Sequence, residues 1–224
     1  TVVLLENLDR VISRDGGKPN EIAEDHWVAE VARVREHLEM VFHRFLADTS
    51  RSGFSLHLND ERLEPWDPFC SKADATQAEP EDSNRDLGGI VRIKGFVLPH
   101  RDRFDPHDKV RSQKLHQEAA GPAGWNAQQG FYLYRNRRLI IAGDWLGLGP
   151  GKNGWKKEEH YKLARIRVDI SNAMDQEWQI DVKKSTAIAP PALRSWMTGL
   201  AKTVREKAKR VYAHRGGRVT RRKR

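Results

Sequence analysis

The chain has 224 residues and a formal net charge of +9, with 38% hydrophobic and 32% charged residues. Its single cysteine, Cys70, excludes a framework of internal disulfides. No apolar run approaches the roughly 20 residues of a membrane-spanning helix, and no secretory signal opens the chain. One cysteine fits a reducing compartment, so we expect a cytoplasmic protein that does not bind a membrane.

The first third of the chain predicts a strand, a long helix and several extended segments. Residues 1–8 are strand-like, and because no Met precedes them we interpret the chain as a piece of a longer protein. Apolar residues recur at three- and four-residue steps from about Asp25 to Asp48, which is typical of an amphipathic helix. Alternation over 53–58 favours a half-buried strand. The polar stretch 70–86 has no period and predicts a mobile loop.

The middle of the chain predicts the centre of a sheet. Leu87–Leu98 favours a strand, whereas 100–129 is charged and contains Gly and Pro, which predicts a second mobile loop with a short helix near 107–119. From Gly130 to Leu148, aromatic and β-branched residues stand on both sides of the turn-like sequence RNRR. This pattern predicts a β-hairpin.

The last third predicts two more strands and a closing helix. Leu163–Ile170 alternates apolar and charged residues, and Trp178–Val182 favours another strand. Pro190 and Pro191 suit a helix start, and the apolar stripe continues to about His214. The order of elements predicts an α+β fold, with a mixed β-sheet, helices on one face and a long C-terminal helix, as one domain over 1–214.

Residues 215–224 form a basic tail without any acidic residue. Its cations are Arg215, Arg218, Arg221, Arg222, Lys223 and Arg224. Such a run attracts phosphate polymers electrostatically, although it is also typical of a solvated, disordered end. One hypothesis is therefore a basic module that binds DNA or RNA through this tail.

Two short patterns could carry chemistry. Lys183 and Lys184 precede Ser185 at a predicted strand end, where their ammonium groups could reach an anion such as phosphate, or could simply be solvated. Asp169, Asp181 and Lys183 occur in the order used by metal-dependent nucleases, whose carboxylates hold a divalent metal. We keep this nuclease as a further alternative.

Other patterns predict no site. The glycine-rich stretch 147–152 departs from a phosphate-binding loop, because Leu146 replaces its first glycine and Asn153 follows Lys152. The nine histidines are scattered, and with one cysteine they predict no metal site.

Four segments together resemble the second, transducer domain of GHKL ATPases, the superfamily of histidine kinases, DNA gyrase, the large heat-shock chaperone, MORC-like proteins and MutL. They are VVLLENLDR (2–10), FSLHLNDERLEPWDPF (54–69), GFYLYRNRRLI (130–140) and EWQIDVKKSTAIAPPALR (177–194). The resemblance covers most of the chain apart from the two predicted loops and the tail. The last three segments are specific in combination.

The resemblance implies a fold like the second domain of ribosomal small-subunit protein five, with a left-handed βαβ crossover. It implies that Lys184, or Lys183 beside it, contacts the γ-phosphate of ATP held with Mg in an N-terminal lobe of the same protein, with Ser185 adjacent. Family members of this kind couple ATP occupancy to domain closure, and homodimerisation stays open. The Asp-x-Gly-x-Gly nucleotide motif of that lobe does not occur in this sequence. We therefore expect this chain alone to lack ATPase activity and to hold no cofactor.

Overall fold

The computed structural model describes residues 1–4, 14–15, 18–19, 21–50, 54–152, 154–180 and 187–214. Within these ranges the chain has an α+β fold, in which a mixed six-stranded sheet packs against a long C-terminal helix. At this level the prediction from the sequence is confirmed.

Five α-helices and ten strands form within the described residues. The helices are α1 (Glu21–Val41), α2 (His43–Leu46), α3 (Lys109–Ala120), α4 (Gly124–Ala127) and α5 (Pro191–Ala213). The strands are β1 (Arg14–Asp15), β2 (Lys18–Pro19), β3 (His57–Leu58), β4 (Glu61–Arg62), β5 (Gln77–Ala78), β6 (Asp82–Asn84), β7 (Val91–Val97), β8 (Gly130–Arg135), β9 (Arg138–Asp144) and β10 (Ala164–Ile170). Short 3-10 turns lie at Arg101–Arg103, Glu159–Tyr161 and Asn172–Met174.

The main sheet has the strand order β5-β7-β10-β8-β9, and β6 also pairs with β7. The pairs β7–β10 and β8–β9 are antiparallel, whereas β10 runs parallel to β8. β10 therefore lies at the centre of the sheet. Its residues Ile166 and Val168 are paired with Phe131 and Leu133 of β8.

One face of the sheet packs against α5. A Cβ atom on Gly95 of β7 would lie only 2.4 Å from the side chain of Val204 in α5, so this close approach requires glycine. Ile166 is paired with Gly95 and shares this face. The buried stripe of α5 consists of Leu193, Met197, Ala201, Val204 and Ala208. The predicted amphipathic closing helix is thus confirmed.

The opposite face is also covered. Tyr132 and Tyr134 point away from α5, because successive side chains of a strand alternate between faces, and both are fully buried. Phe69 packs edge-on against Tyr132 at 5.4 Å between ring centroids, and His43 of α2 hydrogen-bonds Tyr134 at 2.8 Å. The prediction that helices lie on one face is therefore wrong. β8 is apolar on both faces, and such a strand needs cover on both.

The hairpin predicted from the RNRR sequence is confirmed. Asn136 and Arg137 form a two-residue turn with φ values of 47° and 73°, as the turn type that fits strand twist requires. The Arg137 guanidinium donates to the Arg44 carbonyl oxygen and to Asp48, both at 2.7 Å. The turn is thereby tied to α2 and the residues just after it.

The N-terminal half differs in its boundaries from the prediction. The helix expected from Asp25 to Asp48 consists of α1 and α2, separated at Phe42, where the backbone leaves helical geometry. In 53–58, the described strand is limited to His57–Leu58, since 54–56 are irregular. Residues 1–4 are exposed and not extended into a strand, and 5–8 lie outside the described residues.

The segments predicted as loops contain regular structure. Residues 70–86 include β5 and β6, which pair with β7 and extend the sheet. Their backbone hydrogen bonds to a long strand override a local sequence without apolar period. Residues 100–129 contain α3, close to the helix predicted near 107–119, whose start is capped by the Asp108 side chain.

Candidate functional site

The residues predicted to carry function lie largely outside the described part of the chain. These are Lys183, Lys184 and Ser185, the nuclease candidate Asp181, and the tail cations Arg215, Arg218, Arg221, Arg222, Lys223 and Arg224. Their roles stay predictions. The structure describes the chain on either side of 181–186 and the helix that leads to the tail.

The two ends of the 181–186 segment lie side by side. The N–H group of Ile188 donates a hydrogen bond to the carbonyl oxygen of Trp178 at 3.2 Å. The Trp178 side chain is fully buried, and Ala187 and Ala189 are buried on the returning end. The chain thus leaves one place in the core before the lysine pair and returns to it just before α5.

The outgoing end is a turn, so the strand predicted over Trp178–Val182 is wrong for its described residues. Trp178 donates its backbone N–H to the carbonyl of Met174 at 3.2 Å, and Ile180 donates to that of Asp175 at 3.4 Å. Gln179 has a φ of 45°, which lies outside the range of regular strands. The Asp175 carboxylate accepts a hydrogen bond from Arg135. This long-range contact and the burial of Trp178 favour a folded turn over an extended run.

A cleft of about 260 Å³ lies beside the returning end. It is lined by Ile140, Ile141, Ala142, Gly143, Asp144, Lys157 and Ala187. Lys157 donates from Nζ to the carbonyl oxygen of Ala127 at 2.7 Å. The cleft therefore lies along the edge strand β9 and reaches Ala187, the first described residue after the lysine pair.

The glycine-rich loop packs beside the start of α5. Arg194 donates to the Gly147 carbonyl oxygen at 2.7 Å, and the Trp155 N–H donates to the carbonyl of Leu148 at 2.7 Å. A Cβ atom on Gly149 would lie 2.6 Å from the Trp155 ring. Glycine at 149 thus permits close packing of the loop on Trp155.

Arg205 of α5 lies in an aromatic cage that the sequence did not indicate. Its guanidinium carbon is 3.6 Å from the ring centroid of Tyr161, 4.5 Å from that of Trp145 and 4.7 Å from that of Trp155. Burial lowers the pKa of Arg205, and the attraction of Tyr161 opposes this. Nη1 has no hydrogen-bond partner among the described residues. The cage joins α5 to the glycine-rich loop and its flanks through cation–π contacts.

Arg165 of β10 is a second arginine whose burial was not predicted from the sequence. It is 0% exposed, donates to the carbonyl oxygens of Pro68 and Ala119, and lies 5.4 Å from the Trp66 ring centroid. The alternation of apolar and charged residues in β10 predicted that Arg165 lies on the charged face of the strand. That face is covered by residues far away in the sequence, and nothing in β10 itself indicates this cover. The PWDPF sequence thus supplies both a ring and a carbonyl group to this arginine.

A larger cleft of about 740 Å³ lies beside the PWDPF segment and α3. Its lining combines Trp66 and Phe104 with charges of both signs, so it singles out no class of ligand. Cys70 also lines it, and burial raises the pKa of its thiol to about 11. The thiol is therefore protonated at neutral pH and is a poor nucleophile.

Asp169, the one residue of the predicted nuclease site that the structure describes, already forms ion pairs with arginines. Its carboxylate binds the guanidinium groups of Arg44 and Arg167, the latter at 2.9 Å. In the part of the chain that the structure describes, no group of three or more His, Cys, Asp or Glu side chains could hold a metal ion. The described residues thus offer no feature that favours a nuclease.

The hairpin arginines all contact other parts of the fold. Arg135 is paired with Asp175, Arg137 is paired with Asp48, and Arg138 lies over the Phe42 ring at 5.5 Å. These contacts support a structural role for the hairpin.

No protein-family model matches the chain, and no curated protein matches it. No helix in the described ranges is both long enough and apolar enough to cross a membrane. The resemblance of the four segments to GHKL ATPases therefore stays a prediction from the sequence.

Proposed function

We propose that the chain is the transducer domain of a bacterial GHKL ATPase, with the ribosomal-protein-like topology and left-handed βαβ crossover of that family. It couples ATP occupancy in an N-terminal lobe of the same protein to conformational change. The chain supplies no catalysis by itself. Lys184 or Lys183 acts as the γ-phosphate sensor, with Ser185 beside it.

The observation that supports this most is the contact between the two described stretches that flank residues 181–186. Its ends are joined by the Ile188–Trp178 hydrogen bond, and α5 begins three residues after Ile188. We therefore expect a displacement of the lysines to be transmitted to the buried Trp178 and to the first turn of α5. A sensor that moves a domain needs such a connection to a rigid element.

The donor set fits the terminal phosphate of ATP. Two ammonium groups and a hydroxyl are compact donors for an anion of high charge. ATP in the lobe supplies a γ-phosphate that ADP lacks, and only an interaction that differs between the two nucleotides shifts a conformational equilibrium. The neutralisation of the γ-phosphate charge by Lys183 and Lys184 is such an interaction, because it occurs with ATP and not with ADP.

Hydrogen exchange in the protein that contains both the lobe and this chain tests the coupling. A non-hydrolysable ATP analogue is expected to slow exchange in 178–190, and ADP is expected to leave it unchanged. The Lys183→Ala/Lys184→Ala protein should lose the analogue's effect, whereas Lys202→Ala, at an exposed position of α5, should keep it. Equal protection by ADP and the analogue would contradict the proposal.

The second candidate is the basic nucleic-acid-binding module. The observation that favours it is the position of α5, whose last residue is Ala213, directly before His214 and the basic tail. The tail would thus start from the end of a helix that is itself packed on the sheet.

A further inference from the structure

The two edges of the main sheet differ in how well they are protected from pairing with another molecule. At one edge, β5 and β6 pair with β7 and are only two and three residues long. Apart from Ala78 their residues are polar, and most are exposed. Short, polar edge strands are a common device against pairing between molecules. The other edge is β9, which has seven residues, so the sheet is blunted on one side and long on the other.

The outer side of β9 is free within the part of the chain that the structure describes. There, no backbone hydrogen bond joins residues 138–144 to an element other than β8. Residues 139–143 are Leu, Ile, Ile, Ala and Gly, and β9 contains neither a proline nor a lysine. Two register shifts against β8 twist the strand, and the cleft of about 260 Å³ keeps space open beside residues 140–144. This edge can therefore accept another strand.

The charges of β9 are complementary to those of the same strand in the reverse direction. Its first and last residues, Arg138 and Asp144, are exposed and of opposite sign. If two β9 strands run antiparallel about a two-fold axis at Ile141, Arg138 of each copy lies opposite Asp144 of the other. Opposite residues of an antiparallel pair have Cβ atoms about 4.5–5.5 Å apart, and opposite charges there are stabilising. Both ends then hold an ion pair, and the residues between them carry no charge.

Both charges are available for such a contact. Arg138 lies over the Phe42 ring at 5.5 Å, and Asp144 accepts a hydrogen bond from the backbone N–H of Leu146. Among the described residues, neither side chain forms an ion pair. The other hairpin arginines, Arg135 and Arg137, are paired with acids of the same chain. The ends of β9 thus keep charges that the rest of the described fold does not neutralise.

We propose that β9 is a dimerisation edge, which pairs antiparallel with β9 of a second copy and joins the two main sheets into one. The contact is isologous, since the same residues meet on both sides of a two-fold axis. The paired strands satisfy each other's outer backbone groups, and Arg138 and Asp144 fix the register. Because each copy contributes little more than one strand, the dimer is weak and depends on chain concentration. It uses neither ATP nor the Lys183–Lys184 pair, so it can fail separately from the proposed sensor.

Sedimentation equilibrium of the 1–224 chain over about 1 µM to 1 mM measures the association. Arg138→Asp places like charges opposite each other at both ends of the pair and should weaken dimerisation about tenfold or more. The charge swap Arg138→Asp/Asp144→Arg restores opposite charges and should return the dissociation constant to within about threefold of the unmodified chain. Arg85→Asp is the matched control, since Arg85 is exposed and lies outside β9, and it should associate like the unmodified chain.

A disulfide tests the register directly. Residues 138 and 144 of one strand lie about 20 Å apart, too far for a bond within one chain. In the proposed pair, however, each lies within bonding distance of its counterpart in the other copy. Under mild oxidation Arg138→Cys/Asp144→Cys should form a covalent dimer, whereas Arg138→Cys alone should not. Circular dichroism melting verifies that the variants fold. If the charge swap unfolds, the effect of Arg138→Asp and this cross-link decide.

Three results would overturn the proposed dimer. A chain that stays monomeric up to about 1 mM would mean that another part of the protein or a different partner covers β9. A dimer that Arg138→Asp and Arg85→Asp affect equally would use another surface. A folded charge-swap variant that associates no better than Arg138→Asp, together with no cross-link in the double cysteine variant, would exclude the antiparallel register.

Discussion

The backbone N–H of Ile188 donates to the carbonyl oxygen of Trp178 at 3.2 Å, and this hydrogen bond joins the two ends of the segment that carries Lys183 and Lys184. Trp178 is itself fully buried against the core. The positions of the described residues on either side of the segment are therefore fixed by packing.

Removal of the Trp178 ring should strongly destabilise the fold. Trp178→Ala is expected to lower the free energy of unfolding by about 3–5 kcal/mol, since it leaves a cavity in a packed core. Trp178→Phe should cost less, about 1–2 kcal/mol, because it keeps an aromatic ring and removes an indole N–H that has no partner among the described residues. Urea denaturation measures both. Val110→Ala, at a site 78% exposed, is the control, and equal costs for Val110→Ala and Trp178→Ala would contradict the anchor.

Arg165 should not tolerate lysine. Its guanidinium reaches two carbonyl groups at once, those of Pro68 and Ala119, whereas one ammonium group cannot reproduce the fork. Arg165→Lys is expected to lower the free energy of unfolding by about 2–4 kcal/mol, because a buried carbonyl group loses its donor. The exposed Arg101→Lys should be near neutral in the same denaturation measurement. A neutral Arg165→Lys would show that one of these two contacts is dispensable.

Two substitutions at Arg205 measure how much the packing of its side chain in the aromatic cage contributes to stability once the charge is removed. Arg205→Met keeps volume and places sulfur against the rings, and it removes a buried charge. Arg205→Ala leaves the space between three rings empty. We expect Met to be more stable than Ala by about 2 kcal/mol. If the two variants unfold at the same denaturant concentration, the volume of the side chain at position 205 contributes nothing to stability, which would contradict this expectation.

His43 makes stability depend on pH. Burial lowers its pKa to about 4, with a further contribution from Arg44 and an opposing one from Asp67. In the unfolded chain the pKa of this imidazole has its ordinary value of about 6.5. As the pH falls, the unfolded state therefore binds the proton before the folded state does. Stability is full above about pH 6.5 and falls as the pH is lowered toward 4, by on the order of 3 kcal/mol from this residue.

His43→Gln tests that contribution. The amide can still hydrogen-bond Tyr134 but does not titrate. The variant is expected to be less stable than the unmodified chain near pH 7.5, and the difference should shrink or reverse near pH 4.5. His100 and His116 titrate with the same sign in both proteins and cancel in this comparison. A difference that stays constant with pH would exclude His43 as a source of the acid sensitivity.

The elements with strong local signals could be predicted from the sequence. The hairpin turn follows from Asn136, the closing helix from its stripe and Pro191, and β10 from its alternation. What covers each face was not predictable, because the burial of Arg165 depends on carbonyl groups 97 and 46 positions away in the chain. The turn at Trp178 was missed for a related reason, since a short apolar run suits a strand or a buried turn equally.

The candidate site was predicted only through the family resemblance. Lys183 and Lys184 alone are two surface cations, and no periodicity distinguishes a phosphate sensor from a solvated strand end. The structure adds the anchor at Trp178 and Ile188.

The most direct measurement is the rate of ATP hydrolysis by the protein that contains both the N-terminal lobe and this chain, compared with its Lys183→Ala, Lys184→Ala and double variants. We expect the sensor variant and the double variant to lose about tenfold or more in turnover while ADP binding changes less than about twofold, because the lysine stabilises charge at the γ-phosphate alone. The isolated chain should show no turnover. Unchanged turnover in all three variants would contradict the assignment of the sensor.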